Sequence, residues 1–127
     1  MSTDEKVIVL GASPERWRFG NKAVRCYRDA GYRVFPVHPT ATAVEGFAVH
    51  RTIADVPEDV ALLLLYVKPA IGLQCIEAAP ARGVRRVILN PGASSAQLVA
   101  RIEALGMEPV ETCAIVALGR SPAEFPD

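Results

Sequence analysis

The residues best equipped for chemistry stand in a short loop near the N-terminus, Gly11-Ala12-Ser13-Pro14-Glu15-Arg16. The set suits an anion. Glycine permits a tight turn from strand to helix, Ser13 offers a hydroxyl and a backbone N–H, and Arg16 offers a bidentate charged contact. A helix N-terminus behind the loop would add a favourable partial positive charge. In the register of the dinucleotide-binding turn G-x-G-x-x-G, Ser13 and Arg16 replace the second and third glycines. Six basic residues and one acid, Asp29, run from Arg16 to Arg33 in a chain whose 14 basic and 14 acidic side chains cancel. A solvated helix face has the same composition, so the anion reading rests on the Gly11–Arg16 loop and less on Arg25 or Arg28 taken singly. Arg28, further along, is expected to stand too far from a ligand held by that loop.

A second loop, Pro36-Val37-His38-Pro39, is informative by what it lacks. Enzymes that use NAD place a carboxylate about 20 residues past the glycine turn to hold the ribose hydroxyls. With that carboxylate and two glycines missing, a nicotinamide dehydrogenase is disfavoured. His38 and Pro39 can still contact a nucleotide, although a lone histidine beside a proline is as often a plain loop residue. Tyr66-Val67-Lys68-Pro69 puts a lysine where it can meet phosphate charge, against the plainer reading of a solvated loop lysine. Asn90-Pro91-Gly92-Ala93 follows a further strand and can close over the far end of a ligand.

Catalytic apparatus is harder to find. A nucleophile needs a base within hydrogen-bond reach and usually a third group to orient that base. His38 and His50, the only histidines, pair with no serine or cysteine in any known pattern. H-E-x-x-H and Cys/His clusters are absent, so no metal ligand is assigned. The glycine–serine spacing in Gly92-Ala93-Ser94-Ser95 is wrong for a nucleophile elbow. Cys113 ends the last strand near the crevice, but with no cation beside it the residue reads as a structural thiol. The expectation is that no residue is catalytic.

Such loops need a frame to converge on. One pattern recurs three times: a helical stretch, a glycine (Gly31, Gly83 or Gly106), then a β-branched run. Glycine just past a helix closes its last turn, and helix–glycine–strand repeated is the sequence form of a βαβ protein with a parallel sheet. Phe19, Ala23, Cys26, Tyr27 and Ala30 share one helical face, as do Ile71, Cys75, Ala78, Ala79 and Arg82 after Pro69. Ser94-Ser95-Ala96-Gln97 reads as a capping box ahead of a third helix carrying Leu98, Ile102 and Leu105. Continuous apolar runs at 6–10, 33–37, 60–67 and 85–89 predict strands buried on both faces, with a weaker fifth at 108–112. An edge strand around 47–50 and a short helix near 52–56 are also expected. The fold is therefore α/β, a Rossmann-like three-layer domain with a parallel sheet of about five strands, spanning 1–127 as a single unit. With strand order 3-2-1-4-5, the reversal lies between the first strand and the 60–67 strand, and ligands bind beyond the carboxyl ends there.

Composition narrows the classes. At 50% apolar and 22% charged, the chain is globular, and zero net charge removes the main drive for nucleic-acid binding. The longest uncharged apolar run, eight residues, is too short for a bilayer, and polar residues 2–6 lead into a strand without a signal peptide. Three distant cysteines without a CxxC read as reduced thiols of a cytoplasmic protein.

The order GAS-P at 11–14, AGYRVFPVHP at 30–39, IADVP at 53–57, YVKP at 66–69 and a late cysteine at 113 resembles the small stand-alone CoA-binding domain proteins. These are similar in fold to the CoA-binding domain of succinyl-CoA synthetase α-subunits. The resemblance implies coenzyme A in the crevice, with Gly11, Ser13 and Arg16 on phosphates, His38-Pro39 beside the adenosine, and Lys68-Pro69 on the opposite wall. Ala12, Lys22, Val67, Asn90 and Gly92 complete the expected site. The family commonly has Asn-Pro where this chain has His38-Pro39, and the 114–127 tail departs from the usual basic ending. The synthetase domain bearing a phosphorylated histidine has no room here. The favoured reading is thus a binding module for CoA or an acyl-CoA, without catalysis of its own. Two others stay open: an enzyme acting on an acyl-CoA or on another adenine nucleotide such as NAD(P), and an interaction subunit. Its macromolecular partner would be a second copy of the chain or a larger protein, with neither nucleic acid nor membrane.

Overall fold

The computed structural model describes residues 5–127; residues 2–4 of the polar lead-in lie outside the described residues. Five apolar runs become strands: β1 (Lys6–Leu10), β2 (Arg33–Val37), β5 (Leu62–Leu65), β6 (Arg86–Leu89) and β7 (Glu108–Glu111). Two short strands, β3 (Ala43–Val44) and β4 (Phe47–Ala48), form a separate antiparallel hairpin. The main sheet runs β2-β1-β5-β6-β7, every pair parallel, with Val7 against Val34 and Leu62, and Leu64 against Ile88. Four helices connect or follow the strands: α1 (Phe19–Asp29), α2 (Pro69–Cys75), α3 (Ala96–Ala104) and α4 (Ala114–Ala117).

Strand periodicity divides the core in two. Val7, Val9 and Leu64 pack with Ala23 and Tyr27 of α1, Ile115 of α4 and Phe125 of the C-terminal tail. Ile8, Leu63 and Leu65 face the other way, onto Ile76 and onto Leu98 and Ile102 of α3. With helices on both faces there is no solvent side to a central strand, hence the unbroken leucine run of β5. The expected three-layer Rossmann-like α/β fold is what forms. No described helix is long and apolar enough to cross a membrane.

Several local expectations need correction. The helix after Pro69 stops at Cys75 and continues as 3-10 turns at Ile76–Ala78 and Pro80–Arg82. Pro80 has no N–H to give the Ile76 carbonyl and its ring crowds that group, so the α ladder tightens. The expected helix near 52–56 is likewise a single 3-10 turn, Ile53–Asp55. Ser95 alone caps α3, accepting from the Leu98 N–H at 3.1 Å; a leucine at that third position cannot reach back to complete a box. The 47–50 segment folds back as the hairpin, leaving one parallel bridge from Val37 to His50 outside β2. The third-strand place in the expected order is therefore only a bridge, although the reversal between β1 and β5 stands.

Candidate ligand site at the carboxyl edge of the sheet

At that reversal the chain encloses a cavity of about 580 Å³. Its walls come from four loops: Gly11 and Trp17–Gly20 after β1, Tyr66–Lys68 after β5, Asn90–Ala93 after β6, and Cys113 after β7, with Pro122 added by the tail. None of the lining comes from the loop after β2. A second cavity of about 540 Å³ lies at the opposite, amino edge, among Lys6, Asp59, Arg85, Arg86 and Glu108. Its charges are mixed in sign, and it has no helix N-terminus or glycine turn. The carboxyl-edge cavity is the stronger candidate, because loops entering helices converge only at that end of a parallel sheet.

The cradle is built by two glycines. Gly11 has φ +91° and donates its N–H to the Val37 carbonyl at 3.1 Å. A Cβ there would sit 2.5 Å from the Tyr66 carbonyl oxygen. A Cβ on Gly20 would sit 2.3 Å from the Gly11 carbonyl oxygen, so α1 packs backbone on backbone against the turn. The helix begins only at Phe19, which lengthens the loop beyond the G-x-G-x-x-G register. Gly20, not position 16, is the glycine of close helix–strand approach. The sequence signal was a glycine in the first turn of an amphipathic helix, and the borrowed register hid it. Among the described residues, no protein acceptor meets the N–H groups of Phe19 and Gly20. Phe19 and Gly20 both line the cavity, at a helix N-terminus whose dipole favours an anion.

The structure brings Gly11, Val67, Lys68, Asn90 and Gly92 to this cavity. Asn90 is buried and spoken for at both ends, donating to the Leu65 carbonyl at 2.9 Å and accepting from the Ala114 N–H at 2.8 Å. It positions its loop against β5 and α4. Lys68 is exposed at the entry to α2, and Pro69 is the first residue of that helix. Ala12 and Ser13 are buried beneath the loop. The Ser13 hydroxyl accepts from the Glu15 N–H at 3.1 Å, and its carbonyl accepts from Asn21 Nδ2 at 2.8 Å. The serine thus shapes the loop from within.

The remaining residues lie elsewhere. Arg16 turns to Glu45, 3.5 Å away, and Lys22 donates to the Phe125 carbonyl at 2.8 Å. His38 Nδ1 accepts from the N–H groups of Thr40 and Ala41, closing its own loop, and the Pro39 carbonyl accepts from Arg51. Arg25, which the sequence offers only as a lesser anion contact, ties these parts together. Arg25, buried in α1, donates to Asn21 Oδ1 at 2.8 Å and to the carbonyls of Arg16, Phe125 and Pro126 at 2.9, 3.1 and 2.7 Å. Burial, then the neighbouring Arg16 charge, lowers its pKa.

Apolar and aromatic groups dominate the rest of the lining. Trp17 and Phe19 are more than half exposed at its mouth, and the Arg18 guanidinium lies 4.4 Å from the Trp17 ring centroid. Tyr66 carries a buried hydroxyl without a hydrogen-bond partner, and burial raises its pKa. Cys113 lines the same cavity, and neither histidine does. Among the described residues, no group of three or more His, Cys, Asp or Glu side chains could hold a metal.

Residues 5–119 match the family model described as "CoA binding domain". The chain is 26% identical over 87 residues to an ADP-forming acetate–CoA ligase of Archaeoglobus fulgidus, covering 68% of this chain and 13% of the ligase. It therefore spans about an eighth of the length of that relative. Among solved structures, a conserved hypothetical protein of Pyrococcus furiosus is 28% identical with a TM-score of 0.81, over 89% of this chain and 98% of that one. The dinucleotide-forming acetyl-coenzyme A synthetase 1 of Ca. Korarchaeum cryptofilum, in complex with phosphate and ADP, matches at 23% identity and a TM-score of 0.74, over 85% of this chain and 25% of that one. At that identity the likeness concerns the fold.

Proposed function

From a chain that belongs to the CoA binding domain family, we infer a protein that holds coenzyme A or an acyl-CoA at the carboxyl edge of its sheet without transforming it. The observation that carries this reading is the cavity at the β1–β5 reversal, entered by the Gly11 turn, the free N–H groups of α1 and the Lys68 ammonium. The pyrophosphate is assigned to that turn, with Lys68 facing it from the opposite wall. The pantetheine arm extends toward Val67 and the Asn90–Gly92 loop, among walls that are largely apolar. The adenosine lies on the other side of the turn, toward His38 and Pro39. Cys113 shares this cavity with neither histidine, the partner that most often activates a thiol, which supports the reading without catalysis.

Melting curves test the ligand. At a hundredfold excess over its Kd, a ligand stabilises by about 2.7 kcal/mol, a shift of several degrees for a domain of this size. CoA should raise the melting temperature more than NAD at equal concentration. Trp17, the only tryptophan, lines the cavity and should report CoA through its fluorescence. Equal shifts with both ligands, or with neither, exclude the CoA preference. The similarity to part of an ADP-forming acetate–CoA ligase favours one second reading, a CoA-holding part that works with a larger catalytic protein. Turnover of acetyl-CoA with ADP and phosphate by this chain alone would overturn the non-catalytic reading.

A further inference from the structure

Glu45 opens the two-residue turn Glu45-Gly46 between β3 and β4, and its φ of 48° lies in the left-handed region. Asparagine, aspartate and glycine fill that place readily, and nothing in the turn itself calls for a glutamate. The side chain reaches back across the β1–α1 loop. Its Oε2 accepts from Asn21 Nδ2 at 3.2 Å and lies 3.5 Å from Arg16 Nε, while Oε1 lies 3.9 Å from a guanidinium nitrogen of Arg28. Arg28 also donates to the Glu45 carbonyl at 3.3 Å. The carboxylate is 16% exposed, whereas the arginine side chains are about half exposed. Behind them the buried Arg25 spends its donors on neutral oxygens, with no carboxylate in ion-pair range among the described residues.

One carboxylate thus faces two guanidinium groups and an amide, with the Arg25 guanidinium held behind them by neutral oxygens. Direct charge-assisted bonds run at about 2.7–2.9 Å, so the contacts to Arg16 and Arg28 are long and their donors under-used. Two guanidinium forks and an amide suit a doubly charged phosphate monoester better than a single carboxylate. None of Arg16, Asn21, Arg28 and Glu45 lines the 580 Å³ cavity; they meet where the hairpin after β2 contacts α1. We propose that Arg16, Asn21 and Arg28 form a second anion subsite, for a phosphate monoester, and that Glu45 is its resident occupant, displaced outward when the phosphate enters. The proposal rests on the CoA reading, because CoA carries such a group on its ribose, apart from the pyrophosphate.

Calorimetric titration at fixed salt with CoA and with 3′-dephospho-CoA tests it. Glu45→Gln keeps the side-chain length and removes the charge; Glu45→Asn also removes it and suits the left-handed turn. Both variants should bind CoA about tenfold more tightly, with dephospho-CoA unchanged within about twofold. Arg28→Ala should weaken CoA and leave dephospho-CoA as it was. Equal tightening of both ligands makes Glu45 part of a diffuse field and overturns the subsite. So does no change, or selective weakening of CoA, which would make Glu45 a tie that positions the arginines. If neither ligand binds the parent or the variants, the CoA reading itself falls; if both bind the parent equally and the variants shift neither, only the subsite falls.

Discussion

Gly20 illustrates how one missing atom sets the site. Its Cα faces the Gly11 carbonyl so closely that Gly20→Ala would place a methyl 2.3 Å from that oxygen, and the oxygen belongs to backbone that cannot swing aside. Either α1 moves away or the turn opens. Overpacking of this kind costs about 1–3 kcal/mol, and here it also spoils the cradle for an anion. Gly20→Ala should lower the urea midpoint and weaken CoA together. Gly92→Ala is the contrasting case: nothing lies within 4 Å of its Cβ position, but φ is +90°. It should cost about 1–2 kcal/mol of backbone strain without crowding the pyrophosphate turn. A parent-like midpoint for Gly20→Ala would show that the backbone approach is slack.

Between elements, the tail and α1 are joined through Arg25. Removing its guanidinium would strand the carbonyls of Arg16, Phe125 and Pro126 and the Asn21 amide oxygen. A buried acceptor left unsatisfied costs about 1–3 kcal/mol, so the tail gains by lifting into water. Phe125 is buried and Pro122 walls the cavity, so lifting would uncover core and open the site together. Arg25→Met, which keeps the apolar stem, should speed amide exchange across 120–127 and reduce CoA affinity. Unchanged exchange there would mean that the apolar seat of Phe125 and the Arg120 pair with Asp29 hold the tail without it. Only some of this was legible: the basic run along α1 was plain, but the groups it serves are about 100 residues away in the chain.

For the molecule as a whole, the alkaline limb of stability should be the sensitive one. Burial pushes the Cys26 thiol from 9.0 to about 11, and burial likewise raises the Tyr27 and Tyr66 hydroxyls. An unfolded thiol gives up its proton near 9, while the folded one keeps it until about 11. Between those values the unfolded state binds fewer protons, so stability is whole below pH 9 and falls as pH rises. The tyrosines continue the loss above their unfolded value of 10. Melting temperature should therefore decline from pH 9, and Cys26→Ala should flatten the first part of the decline while lowering the plateau slightly. A parent curve level to pH 11 would mean that the thiol titrates freely in the fold.

Periodicity alone determined the α/β architecture, the parallel sheet and the crevice at the β1–β5 reversal, because an unbroken apolar strand followed by an amphipathic helix has few other ways to bury both faces. Strand ends also place Gly11, Val67, Lys68, Asn90 and Gly92 at the cavity, whereas His38 and Pro39, after β2, lie outside its lining. Side-chain partners were a different matter. The sequence shows the charges of Arg16 and Arg28 but not that both reach the Glu45 carboxylate. Lys22, expected on a phosphate, meets the C-terminal tail. A long basic side chain is placed by whichever carbonyl or carboxylate the fold brings within reach. Those acceptors lie on a hairpin and a tail far away in the sequence, so only the tertiary structure could decide among them.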